Sequence, residues 1–154
     1  LAIIGSLISV VSFVVLFWIQ TKNVWVFTAF YVVAYLGQAF FSLICWAMIT
    51  DVIDDTEVKT GERSDGTIYS IYSFARKIGQ AAAGGLGGFA LAMTGFDESV
   101  QVQTQSVVDG IYDVATLYPA IIYISVGLVL IFIYPLGKKQ VQENEFVLKM
   151  KREK

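Results

Sequence analysis

The chain has 154 residues, of which 56% are apolar, 14% aromatic and only 16% charged, and its mean hydropathy is +0.64. That composition excludes a disordered, collagenous or coiled-coil chain, and a formal net charge of -2 offers no polybasic surface for nucleic acid. With no histidine and one cysteine, Cys45, it also excludes His-based catalysis, the common zinc sites and an internal disulfide framework.

A hydrocarbon core needs about 20 apolar residues in a helix. Residues 1–20 carry no charge, and neither do residues 24–50. Thr21-Lys22-Asn23 between them is a very short turn, so the two segments pair as an antiparallel hairpin. Residues 51–66 read as a polar, charged loop. Residues 67–94 form a third segment, charged only at Arg76 and Lys77. Residues 95–117 hold the acids Asp97, Glu98, Asp109 and Asp113 and no base. Residues 118–137 are a fourth uncharged segment, and residues 138–154 form a tail with six bases and three acids. The runs are too long and continuous for barrel strands. The expected fold is therefore all-α, with a transmembrane portion over 1–137 and four membrane-spanning helices. Leu1 is not Met and already lies in an apolar run, so we expect a piece of a longer protein.

Lys and Arg concentrate in the tail and at Lys59 and Arg63, whereas the opposite ends carry only Lys22. The positive-inside rule then places the chain start, the 51–66 loop and the tail in the cytoplasm, and the 95–117 loop outside. The location is a cell membrane crossed several times, with the lipid bilayer as a partner. Trp18, Trp25 and Tyr31 near the outer turn, and Tyr118 and Tyr134 near the ends of the fourth segment, read as interfacial aromatic belts.

Lys77 lies ten residues past Thr67, about 15 Å along the third helix and near the bilayer midplane. A lysine there costs about 3 kcal/mol on insertion scales, so it faces a bundle interior or an aqueous cavity. Arg76 points about 100° away and is also a candidate for substrate binding or coupling, so that one of the two faces the cavity and the other a neighbouring helix or the inner interface. Ser73 is four residues before Lys77 and shares its face, and Tyr69 and Tyr72 extend the polar surface by a turn. Hydroxyls, aromatic faces and one cation suit a sugar. The competing reading is a buried ion pair and interhelical hydrogen bonds that only lock the bundle. The small residues from Gly79 to Gly88, with Gly84 and Gly88 four apart, read as a surface for close helix packing.

Asp51, Asp54 and Asp55 have helical i, i+3, i+4 spacing, and Glu57 follows. Lys59 and Arg63 are too few to neutralise six acids between Asp51 and Asp65, so further bases are expected from sequence outside this chain. Metal chemistry has no supporting spacing there. Serines without a histidine base, and acids gathered at one membrane face, give no enzyme constellation.

The run Asp51-Val52-Ile53-Asp54, then Glu57-Val58-Lys59-Thr60-Gly61-Glu62-Arg63, then Gly66, Tyr69-Ser70, Phe74 and Lys77-Ile78-Gly79, resembles the glycoside–pentoside–hexuronide:cation symporter family of the major facilitator superfamily. The resemblance implies that the four segments correspond to helices nine to twelve of a twelve-helix transporter. It implies a sugar or glycoside substrate, no cofactor, and a co-transported H+ or Na+ bound mainly by the N-terminal half. The missing eight helices of the same chain would then be a partner. Lys77 is similar to the family's helix-eleven lysine of the cavity, and Asp51, Asp54, Glu57 and Arg63 fall in the charged motif of a cytoplasmic gate. Where some relatives have a tryptophan in the sugar-site wall this chain has Ser42, with Trp46 one turn further on. The alternative is a small non-transporting four-helix membrane subunit or scaffold.

Overall fold

The computed structural model describes residues 2–153. Leu1, the start of the first expected span, and Lys154, the end of the tail, lie outside the described residues. The regular elements among them are α1 (Ala2–Ile19), α2 (Val24–Thr60), α3 (Asp65–Met93), α4 (Gln105–Phe132) and α5 (Lys138–Arg152). Of these, α1, α2 and α4 are long and apolar enough to cross a membrane. α3 is a 29-residue helix, but its glycines, hydroxyls and the Arg76–Lys77 pair dilute its hydropathy.

α1 is the centre, packed against α2 on one side and α4 on the other. Its buried face is unusual for so apolar a helix: Gly5, Ser6, Ser9, Ser12, Phe13 and Leu16. Small residues let the backbones approach. A Cβ at Gly37 would sit 2.6 Å from the Gly5 carbonyl, and one at Gly5 would sit 2.8 Å from the Gly37 carbonyl. The hydroxyl of Ser9 donates across that contact to the Ala34 carbonyl at 2.8 Å, so a polar side chain is buried without loss. Beyond it, Phe13 meets Tyr31 edge-on at 5.3 Å and stacks on Tyr123 at 6.2 Å. On the other side the Tyr112 hydroxyl donates to the Leu16 carbonyl at 2.8 Å.

Several boundaries differ from the sequence reading. The stretch read as a loop over 51–66 is helical to Thr60, and only residues 61–64 turn. Gly61, at φ 81°, ends the helix by donating its N–H to the Glu57 carbonyl at 2.9 Å. Hydrophobicity marks where a helix leaves lipid, not where it ends. The 37 residues of α2 span about 55 Å, well beyond a hydrocarbon core of about 30 Å. For the same reason α4 starts at Gln105 inside the 95–117 stretch, and the tail folds as α5.

Two packing expectations also change. Tyr31, read as a belt residue with the exposed Trp18 and Trp25, is half-buried between α1 and α4. Tyr118 falls in the middle of α4 rather than near its start. The glycines from Gly79 to Gly88 have open space at every Cβ position, so the helix contact expected there is not made among the described residues. α3 touches α2 through its first turns, and its last turn lies against α4, where Thr94 packs 3.2 Å from the Cβ position of Gly110. Between those ends it stands free of its neighbours, with only Ala90 buried.

Candidate functional site

Two groups of the expected residues come together, at different heights on the α2–α3 pair. The first is aromatic. Trp46 on α2 faces Tyr72 at 5.7 Å, close to edge-on, and Tyr69 at 6.1 Å, both from the first turns of α3. Such pairs hold one another by the quadrupoles of their rings. The indole remains half exposed. Ser73 follows Tyr72 directly, and Arg76 and Lys77 lie one turn further along α3. All three are exposed, and neither cation has a carboxylate partner among the described residues. The bundle-locking ion pair weighed for Lys77 is therefore not formed within this chain's described residues.

The second group is ionic and occupies the end of α2 that projects beyond its apolar run. Arg63, in the turn after α2, donates from Nη1 to Asp54 Oδ1 at 3.0 Å and to Glu57 Oε2 at 2.9 Å, and from Nε to Asp65 Oδ2 at 2.9 Å. These hydrogen bonds, to Glu57 first, then Asp54 and Asp65, hold its pKa above the ordinary arginine value. Asp54 and Glu57 are three apart, so one guanidinium reaches both from a single helix face. Asp51, expected in the same group, makes no ion pair among the described residues.

Asp55 belongs to a different partnership. Lys59 donates to its Oδ2 at 2.6 Å, and Asn144 of α5 donates to its Oδ1 at 3.0 Å. The Lys59 hydrogen bond is the larger reason that its carboxyl is held below the usual carboxylate range, against the opposing effect of burial. Arg152, also from α5, approaches Glu57 Oε2 at 3.6 Å. One of the bases that the acid cluster lacks locally, Arg152, thus comes from the tail of this chain rather than from outside it. Sequence reasoning missed Asp65, Asn144 and Arg152. The signals were the i, i+4 pairing of Asp55 with Lys59 and the 141, 144, 148 face of the tail. Among the described residues no group of Cys, Asp and Glu is arranged to hold a metal ion.

Residues 1–138 match the family model described as MFS/sugar transport protein. Over 139 residues the chain is 37% identical to the uncharacterized symporter YjmB of Bacillus subtilis (strain 168), covering 90% of this chain and 30% of that protein. Over 141 residues it is 33% identical to the glucuronide carrier protein homolog of Escherichia coli (strain K12), covering 92% of this chain and again 30% of the relative. The chain spans about 30% of the length of these curated relatives. No solved structure matches it. A helical chain whose apolar spans carry a charged motif and an aromatic cluster, and which follows one family along its first 138 residues, belongs to the MFS/sugar transport protein family, a family of transporters and not of enzymes.

Proposed function

We propose that the chain is the C-terminal four-helix portion, helices nine to twelve, of a secondary transporter that carries a glycoside, pentoside or hexuronide with H+ or Na+. The observation that carries this reading is the exposed run of α3 above the Trp46–Tyr69–Tyr72 cluster. On that run Ser73 and Lys77 share one helix face. A sugar is recognised by an aromatic platform for its C–H face and by donors for its hydroxyls, and this helix offers both. α3 is then the fourth span, since its 29 residues reach about 44 Å. Its low hydropathy suits a cavity wall and the close approach of other helices rather than lipid.

In this reading Trp46, Tyr69, Tyr72 and Ser73 contact the sugar, and Lys77 bears on its hydroxyls or carboxylate and on coupling. Arg76 meets a neighbouring helix. The cation binds in the N-terminal half, which also completes the sugar site. Rocking of the two halves exposes the midplane site alternately to each side. Coupling follows because cation and sugar favour the same state. Asp51, Asp54, Glu57 and Arg63 form the cytoplasmic gate, with the tail on the same side by the excess of Lys and Arg. The glucuronide carrier protein homolog among the relatives makes hexuronides a first substrate class to try.

The test is uptake by the complete protein in vesicles, with labelled galactosides, xylosides and glucuronides under an imposed H+ or Na+ gradient. Gradient-dependent accumulation of one sugar, lost in Lys77→Gln at normal expression, is the expected result. Full accumulation by Lys77→Gln removes Lys77 from the site.

A further inference from the structure

The charged end of α2 is gripped from a second side. Residues 144, 148 and 152 lie one turn apart on α5 and form one face. Asn144 is buried, donates to Asp55 Oδ1 at 3.0 Å, and accepts from Gln140 Nε2 at 3.1 Å, which fixes the direction of its amide. Leu148 is buried one turn on. Arg152 Nη2 then comes to 3.6 Å of Glu57 Oε2, the oxygen that accepts from Arg63 at 2.9 Å. Lys151 Nζ donates at 3.3 Å to the carbonyl of Gly61, in the same turn that carries Arg63. One helix thus touches the carboxylate beside Asp54, the carboxylate that Arg63 shares, and the turn that aims Arg63. Removing the Asn144 amide while α5 stays docked leaves Asp55, 9% exposed, short of one donor, and such a loss is costly for a buried charged group.

We propose that Asn144, Lys151 and Arg152 are positioning residues of the gate: α5 docked on α2 holds Asp55, Glu57 and the Gly61 carbonyl where Arg63 reaches Asp54 and Glu57 together. The tail helix is then part of the gate and not a solvated appendage. This inference rests on the gate reading of Arg63 given above.

The test uses the complete protein in permeabilised membranes, with Ser64→Cys as reporter and Cys45 and the other cysteines replaced by serine. The rate of labelling by a maleimide reads how firmly the α2–α3 turn is held. Arg152→Gln is expected to speed labelling by about two- to fivefold, the weight of a partly exposed ion pair. Arg152→Lys restores the slow rate, and Arg152→Gln has no further effect when Glu57 is already Gln, because the two residues act as one pair. Asn144→Leu speeds labelling by about tenfold. Unchanged rates in both tail variants, or additive effects of Arg152→Gln and Glu57→Gln, overturn the proposal. Arg63→Gln separates the two readings. If it speeds labelling while the tail variants do not, the gate stands without the tail. If it changes nothing, the gate reading falls and the tail's role with it.

Discussion

The hydroxyl of Tyr31 on α2 donates to the carbonyl of Ala115 on α4 at 3.2 Å, and that carbonyl is the one Pro119 leaves without a helical donor. Proline has no N–H, so the carbonyl four residues earlier loses its partner. In a membrane no water replaces it. The tyrosine therefore does inside the bundle what the missing N–H would have done, and ties α2 to α4 in the process.

Tyr31→Phe is expected to destabilise the complete protein by about 1 kcal/mol, the usual weight of one such hydrogen bond. Pro119→Ala returns an N–H to the helix. In that background Tyr31→Phe costs less, and thermal unfolding in detergent of the two single variants and the double variant measures the difference.

The glycines of α1 and α2 and those of α3 respond in opposite ways to a methyl group. Gly37→Ala places a Cβ 2.6 Å from the Gly5 carbonyl and 2.7 Å from Ser9 Oγ, so the helices must separate. A loss of about 1–3 kcal/mol follows, read as a lower unfolding temperature. Gly84→Ala meets open space within this chain. If other helices of the transporter pack there, Gly84→Ala lowers uptake by the complete protein while leaving the α1–α2 contact intact. Unchanged uptake by Gly84→Ala shows that the face stays open.

The stability of the charged end of α2 depends on pH through Asp55. Its carboxyl pKa is lowered in the folded protein, chiefly by Lys59. The stabilisation is therefore complete above the unfolded value of about 4 and is lost as pH falls through the lower folded value. Hydrogen exchange of the α2 amides from Asp55 to Thr60, corrected for intrinsic rates, should accelerate below about pH 4. Asp55→Asn should remove most of that dependence, since an amide does not titrate in this range.

Trp46 carries a prediction of its own. Trp46→Ala removes the platform beside Tyr69 and Tyr72 and is expected to raise the half-saturating sugar concentration by about tenfold. Trp46→Phe keeps a ring and should lose less. Equal kinetics in wild type and Trp46→Ala, measured by initial uptake rates, take the indole out of the sugar wall.

Much of the local organisation was readable along the chain. The i, i+4 relation of Ser73 and Lys77 is a property of any helix, and so is the shared face of Asp54 and Glu57 that Arg63 spans. The helical extension to Thr60 was not readable, because polar residues beyond a span read alike in a helix or a loop. Asn144 showed in the sequence only as one member of the 141, 144, 148 face of the tail. A lone polar residue in a basic tail becomes significant only when Leu148 seats the helix against α2 and brings the amide to Asp55.

The amino-acid sequence by itself determined the membrane class, the family resemblance and the separation of an aromatic stretch from a charged one. Those follow from run length, hydropathy and spacing, which act within a few turns of one helix. The tertiary structure alone decided which glycines meet, since Gly5 and Gly37 pack while Gly84 and Gly88 face open space. It also decided that Trp46 faces Tyr72 and that Arg152 approaches Glu57. Each of those depends on the register between helices far apart in the chain, which is set by how whole faces interlock and is written in no single segment.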